Sequence, residues 1–158
     1  MVSLSKIFKK IVLLAAFAVL GWSLNSCKSD DEVVTQKSEK ELLEGKWNMV
    51  TGEYYQDGEL VYSEDLREEG CEYDYYHFYQ DGKKDEILHY GGCESENYSG
   101  IWEYNEATKE LKTVDADDDY TMIFKVLNLE SSTLEIQLIN DDGDIVPEQV
   151  KMLMILNR

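Results

Sequence analysis

The chain contains a single proline, Pro147, together with two histidines and three cysteines. So little proline, together with 43% apolar residues, argues for a folded body rather than disorder. Basic residues are also scarce. Fifteen Lys and Arg stand against 33 Asp and Glu, a formal charge of −18 over 158 residues. Such a surface repels phosphate backbones and anionic head groups, which excludes nucleic acid as a direct ligand. The acids are scattered through alternating segments rather than gathered in one tail, as solvated strand faces and loops require. A long apolar run is missing too: the longest, Ile11 to Trp22, has about a dozen residues, whereas a membrane-spanning helix needs roughly 20.

That short run has a definite context. Lys6, Lys9 and Lys10 precede it and Leu24-Asn25-Ser26-Cys27 follows, the anatomy of a secretory signal. A cysteine directly after Leu-x-Ser resembles the lipobox of bacterial lipoproteins. The resemblance implies that the Cys27 thiol receives a diacylglyceryl group and that Cys27 becomes the first residue of the mature chain. Each buried acyl CH₂ contributes about 0.8 kcal/mol, so two or more long chains anchor firmly. The expected organisation is a signal peptide over 1–26, a lipidated Cys27 with a flexible acidic stalk over 27–41, and one domain over 42–158. Removing the leader takes three lysines and no acid, leaving 132 residues with 12 Lys and Arg, enough for one domain with a core. Lys28-Ser29-Asp30-Asp31-Glu32 resembles the acidic signal that sends some Gram-negative lipoproteins to the cell surface; simple solvation of a linker is the other reading. The expected location is the outer membrane, on its periplasmic or its surface face.

From Leu42 onward the punctuation is that of a β meander. Asp57-Gly58, Asp81-Gly82, Gly91-Gly92, Asn105-Glu106, Asp117-Asp118, Glu130-Ser131-Ser132 and Asp141-Asp142-Gly143 separate short runs rich in Tyr, Val, Ile, Trp, Phe and Thr. Eight strands are predicted over 45–55, 59–64, 72–80, 84–90, 99–104, 110–114, 120–129 and 133–139, with 145–156 as a closing ninth. Turns this regular, without helical patterns between them, predict an all-β fold: a sandwich or an up-and-down barrel. Alternation places Trp47 with Met49, Tyr76 with Phe78, Trp102 with Tyr104, and Leu134, Ile136 and Leu138 on inward faces. The last strand is apolar on both faces, which predicts burial on both sides or a partner surface.

Leu43-Glu44-Gly45-Lys46-Trp47, then Cys71-Glu72-Tyr73-Asp74-Tyr75-Tyr76-His77-Phe78 with Asp81-Gly82, then Gly100-Ile101-Trp102 and Leu129-Glu130-Ser131-Ser132-Thr133-Leu134 stand in an order that resembles the lipocalin-like lipoproteins of Gram-negative bacteria. The resemblance covers about residues 42–158. It implies a small antiparallel barrel of about eight strands. The apolar final strand departs from the alternating Tyr/Thr strand with which such domains often close.

With Cys27 assigned to the lipid, Cys71 and Cys93 form an even pair in an oxidising compartment. A three-residue turn pairing Gln80 with Lys84 sets Cys71 directly opposite Cys93, predicting a disulfide. A zinc site adding His77 and His89 is the alternative, but its spacings match no common module and the compartment favours the bridge. Asp115-Ala116-Asp117-Asp118-Asp119 fails the EF-hand pattern, with Tyr120 and Val126 where Gly and Glu belong, and reads as a solvated turn with a looser cation site left open. No nucleophile is paired with a base and no serine sits in an elbow motif, so neither enzyme activity nor a cofactor nor a metal is expected. Trp47, Tyr76, Phe78, Trp102 and Tyr104 are the candidate lining of a small apolar or amphipathic ligand, unless they fill the barrel. A solid barrel that meets a protein partner through an outer stripe of Tyr73, Tyr75 and Tyr79, or through the last strand, is the second expectation.

Overall fold

The computed structural model describes residues 37–147 and 149–158. Residues 1–26, Cys27 and most of the stalk lie outside the described residues. A short helix, α1 (Glu39–Leu43), is followed by β1 (Gly45–Gln56), β2 (Glu59–Asp65), β3 (Tyr75–Phe78), β4 (Lys83–Tyr90), β5 (Glu94–Asn105), β6 (Glu110–Asp115), β7 (Thr121–Leu129), β8 (Thr133–Asp141), β9 (Asp144–Ile145) and β10 (Val150–Asn157). All pairings are antiparallel. The order β1-β3-β4-β5-β6-β7-β8 is closed by β10, which pairs with both β8 and β1. The result is an eight-stranded up-and-down barrel, as expected, although its eight strands include β10 and leave out β2. That strand pairs only with the second half of β1, while β3 takes the first half.

The helix begins inside the segment expected to be flexible stalk. Ser38 caps it: its Oγ accepts from the Glu41 N–H at 3.2 Å, and the Glu41 carboxylate accepts from the Ser38 N–H at 2.7 Å. This reciprocal capping box satisfies donors that a helix end leaves open. The helix packs its buried Leu43 beneath the barrel, where the Trp47 indole N–H donates to the Leu43 carbonyl at 2.7 Å. Arg158, at the far end of the chain, lies 4.2 Å over the Trp47 ring and donates to the Leu42 and Glu44 carbonyls, so α1 and Arg158 together seal one end of the barrel.

Bulges decide which side chains point inward. Trp47 and Met49 face the core, but the register slips at Val50, after which Gly52 is the inward position. Leu66 packs there, its Cδ2 lying 3.0 Å from where a Cβ on Gly52 would be. The β3–β4 hairpin corrects the expected register by two. Phe78, not Gln80, is the partner of Lys84, and the loop is Gln80-Asp81-Gly82 with Gly82 at φ +84°. A three-residue hairpin places its left-handed residue last, where glycine carries no Cβ penalty. The third strand is also shorter than expected, because residues 72–74 leave the ladder, whereas β5 reaches back to Glu94. β10 has a strand paired on each edge, but among the described residues full burial is confined to its inner face. Leu156 is buried inside, and the half-buried Leu153 and Ile155 face outward beside Gln137 and Glu135 of β8.

Candidate ligand-binding end of the barrel

Four of the five aromatics expected to line a ligand space form the core near the sealed end. Trp47, Tyr76, Phe78 and Trp102 are 0–2% exposed. Phe78 packs between Tyr76 and Trp102, with ring centroids 5.5 and 5.2 Å away. Trp102 also donates its indole N–H to the Tyr79 carbonyl at 2.8 Å. Tyr104 is half-buried beside α1 and donates to Glu39 Oε2 at 2.7 Å; burial, then this bond, pushes its hydroxyl up.

The opposite end is built differently. In β4 the inward positions carry Lys84 and Glu86 rather than apolar residues, and Asp115 at the end of β6 faces them. Lys84 Nζ is 3.0 Å from Glu86 Oε2 and in ion contact with Asp115 Oδ1; its side chain is fully buried, with Glu86 at 10% and Asp115 at 13% exposure. That Asp115 oxygen, itself buried, accepts no aligned hydrogen bond, so the contact is ionic. The Lys84 ammonium lies 5.8 Å from the centre of the Tyr76 ring. Burial, ahead of the neighbouring Glu86 carboxylate, pushes the Tyr76 hydroxyl well above its ordinary range. Across the ladder Lys84 pairs with Gly100 and Gly100 pairs with Asp115.

Glu86 and Asp115 also line a cleft of about 280 Å³ with Leu88, Tyr98, Asp118, Tyr120 and Met122. Tyr98 donates to Glu96 Oε2 at 2.6 Å, which leads the upward push on its hydroxyl. Tyr120 donates to Asp141, and that bond, ahead of burial, pushes its hydroxyl up to about 12. The cleft therefore combines two apolar side chains, two tyrosines whose hydroxyls are already directed at carboxylates, and three acids. One signal for it was present in the sequence: Lys84 and Glu86 alternate on the strand opposite Tyr76 and Phe78, where the buried positions of the neighbouring strand are aromatic.

The Cys71–Cys93 bridge is present, with Cα atoms 5.3 Å apart. It does not sit within the ladder. Cys71 belongs to the loop before β3, and the bridge ties that loop to the β4–β5 turn. Asp74 reinforces the tie, accepting the His89 backbone N–H at 2.7 Å and lying 3.0 Å from His89 Nδ1. His77 instead stacks on Tyr79 with centroids 4.2 Å apart, so the two histidines do not converge with the cysteines. The Asp115–Asp119 acids diverge as well: Asp115 turns in to Lys84 while Asp118 Oδ1 accepts the Tyr120 N–H at 3.1 Å. Among the described residues no three His, Cys, Asp or Glu side chains converge as metal ligands. Each outer tyrosine has a charged partner, although Tyr79 remains exposed. Lys46 Nζ sits 3.8 Å over Tyr75, Arg67 sits 4.9 Å over Tyr73, and Tyr79 donates to Asp85 at 2.8 Å.

The closed antiparallel barrel, sealed by a short helix at one end and open in a polar cleft at the other, has the eight-stranded up-and-down architecture in which lipocalins are built. Among solved structures, a lipocalin-like protein from Bacteroides uniformis is similar at 22% identity and a TM-score of 0.49, covering 74% of this chain and 98% of that one. An uncharacterized protein from Bacteroides eggerthii is similar at 17% identity and a TM-score of 0.47, covering 73% and 98%. No protein-family model matches the chain, and no curated protein matches it.

Proposed function

We propose that this chain is a non-catalytic lipoprotein, held at the outer membrane by a lipid on Cys27, whose barrel binds a small apolar or amphipathic ligand at its open end. The observation that carries the ligand is the cleft of about 280 Å³ beside Leu88 and Met122. Its volume sits just below the roughly 300–1,000 Å³ of typical ligand pockets, which favours a small molecule. The leader and the cysteine after Leu-x-Ser support the anchor. Native mass spectrometry of the full chain, extracted from its membranes in detergent, tests both parts. The expected result is a chain cleaved before Cys27, carrying a lipid mass on that residue, with a non-covalent adduct that Leu88→Trp removes. An intact leader with an unmodified Cys27 overturns the anchor. An adduct that survives Leu88→Trp overturns the site.

A second reading is favoured by the burial of Trp47, Tyr76, Phe78 and Trp102, which leave that part of the barrel solid. On it the domain is an interaction module with no ligand, and the expected result is a purified chain without any adduct.

A further inference from the structure

β2 stands apart from the barrel. Among the described residues it pairs only with β1, and in an antiparallel ladder every second residue turns its N–H and C=O away from the partner strand. All seven of its residues are exposed, and Leu60, Val61 and Tyr62 in its middle are 52%, 60% and 54% accessible. Proteins usually blunt such an edge with lysine, proline or a bulge, because it is a template for another strand. Here no lysine, arginine or proline occurs between Gln56 and Asp65, and a slip at Val61 is the only interruption. The edge is acidic throughout, with Asp57, Glu59, Glu64 and Asp65 around the apolar centre.

That charge selects the occupant. A second copy docked two-fold about Tyr62 would set Glu59 against Asp65 of the other chain and Leu60 against Glu64, on chains that are each strongly acidic. Like charges directly opposed across a ladder are unfavourable, and opposite charges favourable. We propose that β2 is a docking edge that takes an extended, basic segment of a partner protein as an added strand. Main-chain hydrogen bonds supply the attachment, Leu60, Val61 and Tyr62 supply apolar contact, and Glu59, Glu64 and Asp65 select lysine or arginine on the incoming strand.

The test uses the full chain in detergent with two capped seven-residue peptides, one alternating lysine with valine and one alternating glutamate with valine. Hydrogen exchange is read residue by residue. The expected result is that the basic peptide slows exchange of the outward amides of β2 by about tenfold or more, leaves β5 unchanged, and binds more weakly as salt rises. The acidic peptide does neither. Glu59→Lys combined with Glu64→Lys, which leaves the backbone free to pair with β1, reverses the preference. Val61→Pro removes an N–H and abolishes protection by either peptide. No slowing in β2, equal binding of both peptides, or a preference unmoved by charge reversal overturns the proposal. Concentration-dependent dimerisation with protection of β2 in the absence of peptide also overturns it, in favour of a second copy.

Discussion

Lys84 and Asp115 form an ion contact inside the barrel across Gly100, which pairs with both of them in the sheet. A Cβ on Gly100 would lie 2.0 Å from the Val114 carbonyl oxygen, so backbone and not a flexible side chain would have to move. Gly100→Ala is expected to destabilise by about 1–3 kcal/mol, the usual cost of overpacking, read as a lower urea midpoint at unchanged slope.

Replacing Lys84 itself separates charge from packing. Lys84→Met keeps the bulk but leaves Glu86 and Asp115 facing each other without their cation. A broken buried pair costs about 3–5 kcal/mol, and the partial exposure of both acids puts the expected loss near the lower figure. Adding Glu86→Gln and Asp115→Asn to Lys84→Met should recover part of it. A triple variant no more stable than the single one would show that the acids are not the source of the cost.

The Cys71–Cys93 bridge closes a segment with a sequence separation of 22, for which constraint of the unfolded chain contributes about 3 kcal/mol. Cys71→Ser with Cys93→Ser is expected to lower Tm by about 10 °C. The loss of protection should concentrate in the loop before β3, where Asp74 holds His89, and spare the sealed end.

Stability should fall at both extremes of pH for identifiable reasons. Hydrogen bonds from Ser99 at 2.7 Å and then Tyr79 hold the Asp85 carboxyl below its ordinary value. The folded chain gives up that proton more readily than the unfolded one. Its contribution is therefore complete above the unfolded value near 4 and is lost as pH falls through the folded one. At the alkaline end the Tyr120 hydroxyl, raised to about 12 by Asp141, keeps its proton when the unfolded chain has lost it. Its contribution is complete below about 10 and is lost as pH rises toward 12. Urea midpoints against pH should flatten on the acid limb in Ser99→Ala and on the alkaline limb in Tyr120→Phe.

At the sealed end, Leu43→Ala opens space beneath Trp47 and should cost about 3 kcal/mol. Trp47→Phe should cost less but remove the indole bond to Leu43 and shrink the ring under Arg158, freeing α1. Faster amide exchange at Leu42 and Leu43 in Trp47→Phe, with β6 unchanged, would mark that uncoupling.

Much of this architecture was legible in single segments. Alternation placed Trp47, Tyr76, Phe78 and Trp102 inside, and turn residues separated the strands to within a few positions, because both depend on neighbours close in sequence. The misreadings share one cause. The Gly82 turn moved the hairpin register by two, so Tyr75 pairs with Ile87; residues 72–74 leave the ladder, Cys71 lies outside it, and the Asp74 side chain reaches the His89 N–H from the loop. The slip at Val50 changed which residues of β1 face inward. A single extra residue reverses every face beyond it, and nothing in the local composition announces it. Beyond the Lys84 and Glu86 alternation, the cleft was not found because its residues come from β4, β5, β6, β7 and the β6–β7 turn.

By itself the amino-acid sequence determined an acidic all-β chain with a leader pattern, an inward aromatic set and a paired Cys71 and Cys93, since composition, alternation and turn chemistry act over a few residues. Only the tertiary structure decided that β10 closes the barrel while β2 is left at its edge, and that Lys84, Glu86 and Asp115 meet across Gly100. Those outcomes depend on which distant strands become neighbours and in what register. That is settled by the collective burial of one core, to which no single segment holds the key.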